Sequence, residues 1–155
     1  MVMISGTQLA VDDKLGGTIV RRGGRALTFQ DLEQRENPRN GTALSGTTSV
    51  SDLFASFAGR DPFIFELRSE AGYTLTTGFG GSLGFVQYSA ADGEPPYAVA
   101  LADAPTPSKS KYFVAGGQQT EIPGRFCLPI KRVEAIVAEI MVTGVRSRSV
   151  AWEEI

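Results

Sequence analysis

The sequence predicts an α+β fold: an antiparallel meander sheet with helices packed on one face and a C-terminal strand. Three observations predict it. Apolar and polar residues alternate through much of 63–101 and again through 112–122, the period of half-buried strands. Two segments, 50–57 and 129–143, instead repeat their apolar residues at helical spacing. The order is helix, run of strands, helix, strand, which points to segregated α+β architecture and not to alternating β-α units.

The 155 residues suffice for one domain with a substantial core, and the chain is read as a single domain, 1–155. Its first part, 1–47, carries the weakest pattern. Thr18-Ile19-Val20 and Ala26-Leu27-Thr28-Phe29 are short strand-like runs around Arg21-Arg22-Gly23-Gly24-Arg25, which reads as a basic hairpin turn. Residues 31–47 are polar and turn-rich and are expected to form a long loop with freedom to move.

From Thr48 the pattern sharpens. Ser49 and Asp52 resemble an N-terminal capping arrangement. Val50, Leu53, Phe54 and Phe57 fall at i, i+3, i+4, i+7, one face of a short helix, and Gly59 stops it. Phe63, Phe65 and Leu67 then alternate with Ile64, Glu66 and Arg68. Ala71-Gly72 turns the chain into Tyr73, Leu75, Thr77 and Phe79. Gly80-Gly81 turns it again into Gly84–Tyr88, and Ala91-Asp92-Gly93 leads to a strand at Tyr97–Leu101. After a Pro/Ser/Lys loop at 105–111, Tyr112–Ala115 and Gln118–Ile122 are joined by Gly116-Gly117, a two-residue hairpin turn that needs positive φ at both positions. Pro129 suits the first position of a helix with the stripe Val133, Ile136, Val137, Ile140, which Gly144 ends. Val150–Ile155 closes as a strand. Its Trp152 is the sole tryptophan, a side chain too apolar to leave in water at a fraying end.

Composition narrows the function classes. A net charge of −2 with pI about 5.2 gives no basic stripe for general nucleic-acid binding, yet suits a basic protein partner. No histidine is present, which removes the commonest metal ligand and general base, and one cysteine, Cys127, excludes an internal disulfide. A Cys/His zinc site cannot be built, and neither a metal nor another cofactor is expected. No run approaches a membrane span and no export signal opens the chain. A cytoplasmic protein is therefore expected, with Asn40-Gly41-Thr42 a turn and not a glycosylation site.

Several motifs could carry chemistry. Gly80-Gly81-Ser82-Leu83-Gly84 matches the G-x-S-x-G nucleophile elbow, but an elbow serine needs a base and a strand-to-helix turn. Here there is no histidine and the segment lies between two strands, so a glycine-rich hairpin turn is expected. The near-dinucleotide fingerprint at Gly78, Gly80 and Gly84 has its last glycine one residue late and opens no helix. Ser108 and Lys111 form S-x-x-K in a polar loop, where that acylase pattern would need a buried helix start. Glu153 and Glu154 point to opposite faces of a strand and cannot flank one bond, while Glu66, Glu70 and Glu121 read as solvated sheet acids. Cys127 reads as a buried structural thiol. Tyr73, Phe79, Phe85, Tyr88, Tyr97, Tyr112 and Phe113 could stack bases, but their setting reads mostly as core.

The ordered set of segments resembles a family. Thr76-Thr77-Gly78-Phe79-Gly80-Gly81-Ser82-Leu83-Gly84-Phe85-Val86-Gln87-Tyr88 comes first, then Tyr112-Phe113-Val114-Ala115-Gly116-Gly117 and Glu121-Ile122-Pro123. The Pro129 helix ending at Thr143-Gly144 and the closing Val150-Ala151-Trp152-Glu153-Glu154 complete the set. Over roughly 48–155 this is similar to the Imm1 family of bacterial immunity proteins. The resemblance implies a non-enzymatic partner of a polymorphic toxin in interbacterial competition. Such a protein binds the C-terminal domain of the cognate toxin in the producing cell and blocks it by occlusion. The toxin is often a nucleic-acid deaminase, including those acting on cytosine in DNA. An acidic plug would suit the basic groups around such a site.

On matching positions, the expected toxin-binding residues are Glu121, Trp152, Glu153 and Glu154, then Tyr88 and Tyr112 at strand ends. Alternation puts Val150, Trp152 and Glu154 on one face and Ala151, Glu153 and Ile155 on the other, so Trp152 would anchor the strand and Glu153 face outward. Two other classes stay open: a small serine hydrolase using Ser82, and a nucleic-acid or ligand-binding module using the aromatic sheet and the Arg21–Arg25 cluster.

Overall fold

Alternating apolar residues on three consecutive strands set the register of the central sheet. The computed structural model describes residues 26–90, 92–104 and 110–155. The basic run Arg21–Arg25, the strand-like run at 18–20 and Ser108 of the S-x-x-K pattern lie outside them.

The described elements follow the predicted order. They are β1 (Leu27–Asp31), β2 (Ala43–Leu44), α1 (Thr47–Ala55), β3 (Phe63–Ser69), β4 (Tyr73–Gly80), β5 (Leu83–Ala90) and β6 (Ala98–Ala100). Then come β7 (Ser110–Ala115), β8 (Gln118–Pro123), a 3-10 turn (Gly124–Phe126), β9 (Leu128–Pro129), α2 (Ile130–Thr143) and β10 (Trp152–Glu154). The main sheet runs β10-β6-β5-β4-β3-β1-β2, antiparallel throughout, and β9 adds to the end of β5. The fold is α+β, as the sequence predicts.

Pairing of Phe65 with Thr77 and Leu67 with Leu75 places Phe63, Phe65, Leu67, Tyr73, Leu75, Thr77 and Phe79 on one face. Both helices lie on that face. Val50, Leu53 and Phe54 of the first, with Phe57 in the turn just past its end, and Val133, Ile136, Val137 and Ile140 of the second, are all buried there. Phe57 is the hub, with ring centroids 4.9, 5.0 and 5.3 Å from Phe63, Phe65 and Phe79. Aromatic pairs at such separations add roughly 0.5–1.5 kcal/mol each beyond the area they bury.

Helix starts differ from expectation. Gly46, not Ser49, is the N-cap of α1 and offers no side-chain cap, and its extended backbone (φ −163°) turns the chain into the helix. Ser49 lies inside the helix because Thr47 and Thr48 already join the first turn. Pro129 is the N-cap of α2 rather than its first residue, because it still pairs with Leu83 in β9. Gly144 ends α2 in the left-handed region (φ 77°), its N–H bonded to Ile140 O at 2.7 Å.

The N-terminal loop and the β7–β8 hairpin also differ from expectation. The segment after β1 is pinned rather than free. Buried Asp31 accepts bonds from the Glu33 and Gln34 amides (2.8 and 2.7 Å), Asn37 Nδ2 (2.9 Å) and Arg60 Nη1 (2.7 Å), while Asn40 Oδ1 takes the Asp31 amide. The β7–β8 hairpin leaves the meander. It meets β3 through one parallel bridge, Phe63 to Val114, and lies over the sheet face away from the helices. There Phe113 packs edge-on to Phe85 (5.1 Å), and with Ile64 they form a second small core.

Candidate partner-binding site

The terminal strand is held at both ends of its ladder. Leu101 donates to Ala151 O (2.8 Å) and Ile155 donates to Tyr97 O (2.9 Å). Trp152 opposite Ala100 faces the helix side, and its indole N–H donates to Ser147 O at 2.9 Å. Its ring meets Tyr88 edge-on at 6.4 Å, and Tyr88 stacks on Tyr73 at 5.2 Å. Burial pushes the Tyr88 phenol above its ordinary value, a shift the Arg146 charge partly opposes. Trp152 is thus an anchor with one partly open side, and the guanidinium of Arg146 lies 5.9 Å over its ring.

Alternation then sorts the two terminal acids. Glu154 follows Trp152 on the helix side and is exposed. Glu153, opposite Val99, points to the other face. It does not stand free there: Arg125 grips it through Nε–H to Oε1 (3.1 Å) and Nη2–H to Oε2 (3.0 Å). Sequence reasoning missed Arg125, which is 28 residues away in sequence. The 3-10 turn brings it near and Phe126 lies under it, 4.4 Å from guanidinium carbon to ring.

Tyr112 and Glu121 form a second group, directly opposite each other on β7 and β8. Phe113 of the same hairpin points inward, so Tyr112 points out and is 50 % exposed. Glu121 Oε2 accepts from Ser110 Oγ at 2.7 Å. The structure therefore pairs Trp152 with Tyr88 and Tyr112 with Glu121, and it separates Glu153 from Glu154 across the sheet.

The chemical motifs resolve into packing. Ser82 is exposed in the two-residue turn between β4 and β5, and no helix follows it. Gly81 beside it needs positive φ (77°). Gly84 faces Ile130 and Val133 of α2, and a Cβ on it would also strike the Gly78 carbonyl. Cys127 is buried, its Sγ 3.6 Å from Pro123 O, and burial raises its thiol above the ordinary value, with only partial opposition from Lys111. Among the described residues no three metal-ligating side chains converge. Of the sheet aromatics, Tyr73, Phe79, Phe85 and Phe113 are buried and Tyr88 is half-buried, so they offer no open stacking platform.

The family model for Immunity protein Imm1 matches residues 39–154. A comparison with curated proteins finds no match. The matched span takes in both helices, strands β2 to β10 and all six candidate contact residues. It starts ahead of Thr48, within the loop that Asp31 organises. The chain belongs to the Imm1 family of immunity proteins.

Proposed function

We propose that this immunity protein binds a cognate toxin domain that acts on nucleic acid, a cytosine deaminase being the best fit, and neutralises it by occlusion. The observation that carries the proposal is the family match over 39–154, which spans the elements that fix Tyr88, Tyr112, Glu121 and Trp152–Glu154. Membership implies a toxin partner. The mild net acidity supports a basic surface on that partner, as a nucleic-acid enzyme must have around its site. In this reading the chain performs no chemistry and acts in the cytoplasm of the producing cell. Among the described residues no helix is long and apolar enough to cross a membrane. Fixed aromatics and carboxylates at a strand end and on a hairpin cost little ordering entropy on binding.

The test is co-expression with the C-terminal domain encoded by the adjacent toxin reading frame. Protection of the cells and co-purification as a stable complex are expected, with cytosine deamination in DNA suppressed. A toxin domain that is neither bound nor inhibited removes the proposal. A bound and inhibited domain with another activity removes only the deaminase assignment.

A further inference from the structure

Between the β7–β8 hairpin and the loops at 32–34 and 59–62 runs an open cleft of about 370 Å³. Its apolar lining comes from Pro62, Phe63 and Val114. Among the described residues the one cation lining it, Arg60, is already neutralised. Its guanidinium lies 3.5 Å over the Phe63 ring and 2.7 Å from the buried Asp31 carboxylate. Two further carboxylates, Glu33 and Asp61, belong to the same lining. Glu33 is held in place by the Gly117 amide at the hairpin tip (2.9 Å to Oε1), and exposed Asp61 makes no ion pair among the described residues.

The cleft continues onto the hairpin. Phe113 and Ala115 point to the second core, so Val114 and Tyr112 share the outer face of the ribbon, about 7 Å apart along the strand. Tyr112 is exposed and lies opposite Glu121. The resulting surface combines an apolar base, an open aromatic ring and three carboxylates, of which Glu33 and Glu121 are held by hydrogen bonds. A long basic side chain fits it: the methylene stem can lie on Pro62 and Val114 while the charged head meets Glu33 and Asp61. At the C-terminal end, by contrast, Glu153 is already spent on Arg125 and Arg146 stands over Trp152.

We propose that the toxin domain docks on this cleft and hairpin face and inserts an arginine or lysine side chain between Glu33 and Asp61, with Tyr112 and Glu121 completing the contact. The proposal rests on the reading of the chain as a toxin-binding protein, and its test has two arms that can fail separately.

The first arm needs no toxin. The full chain is titrated with Nα-acetyl-arginine methylamide and, in parallel, with its neutral citrulline analogue, following backbone amide shifts by NMR. Saturable shifts at Glu33, Asp61 and Val114 with the arginine compound alone are expected. Equal shifts with both compounds, or none, overturn the cleft as a cation site. The second arm measures binding to the toxin domain by calorimetry. Asp61→Lys, Glu121→Lys and Tyr112→Ala should each weaken binding tenfold or more, Asp61→Asn less, and Glu70→Lys in the β3–β4 turn less than twofold. An unchanged melting temperature shows that each variant folds. Wild-type binding that all three strong variants retain overturns the docking surface. A wild-type chain that binds no toxin domain overturns the immunity reading itself, and the first arm still decides the cleft.

Discussion

Arg125 and Glu153 form a fork-to-fork ion pair, with two parallel hydrogen bonds of 3.1 and 3.0 Å, between the 3-10 turn and the terminal strand. The bond from Arg125 holds the Glu153 carboxyl below its ordinary range. A depressed carboxyl supports the fold above its ordinary titration range, and that support is lost as the pH falls through the depressed value. Arg125→Ala should therefore raise the Glu153 titration midpoint, read from its carboxyl carbon by NMR. The pair is solvent-exposed and screened, so the melting temperature at neutral pH should barely move. A large drop in melting temperature would show that the fork holds the strand in place.

Asp31 should behave differently because it is buried. Burial alone would raise its carboxyl, but the bonds from Arg60, Asn37 and the Glu33 and Gln34 amides outweigh that and hold it below its ordinary 3.8. Its contribution is present above that value and fades as acid takes the pH below it. Asp31→Ala leaves Arg60 and two amides without their acceptor and should cost about 3 kcal/mol in urea unfolding at pH 7. The wild type should lose stability more steeply than the variant as the pH falls below about 4. Parallel profiles would mean that the loop network adds nothing to folding.

These two carboxylates also show where the sequence is legible. Period decides most elements: Val50–Phe57 and Val133–Ile140 read as helices and Phe63–Phe79 as strands because a single buried face imposes the spacing. Gly116-Gly117 reads as a turn because both residues need positive φ, observed at 59° and 78°. Period is blind to which sheet face a hairpin covers. Tyr112–Ala115 alternates the same way in the meander or across it, so the second core of Ile64, Phe85 and Phe113 leaves no separate mark. Long-range polar pairing is equally silent: nothing local couples Arg60 to Asp31 or Arg125 to Glu153. Of the site, the anchoring of Trp152 and the opposed faces of Glu153 and Glu154 are legible from strand parity, whereas the cleft lined by Glu33 and Asp61 arises only once two loops converge on the β7–β8 hairpin.

The glycines around Ser82 make packing predictions. At Gly78 an added Cβ would collide with the rings of Phe85 and Phe113, and neither ring is free to yield inside the second core. Gly78→Ala should cost about 2–3 kcal/mol by overpacking. Gly81→Ala meets open space and carries only the strain of positive φ, about 1 kcal/mol. Urea midpoints in that order are expected. The reverse order would mean that the hairpin shifts easily to make room.

Trp152 offers the most direct optical readout, being the sole tryptophan. Its ring packs against Tyr88 and the core while its N–H is satisfied by Ser147 O. Trp152→Phe keeps most of the apolar contact and removes one neutral hydrogen bond, which leaves the Ser147 carbonyl unpaired, so about 1–2 kcal/mol is expected. Trp152→Ala also empties the space under the strand and should cost about 3 kcal/mol. Amide exchange should locate the loss. Because β10, among the described residues, pairs with β6 alone and lies at the sheet's end, Trp152→Ala should speed exchange at Leu101 and Ile155, which bond across that ladder, more than at Leu75 in the sheet centre. Uniform acceleration at all three would mean that the terminal strand unfolds only with the whole protein. The tryptophan would then support the entire fold and not merely tie down its end.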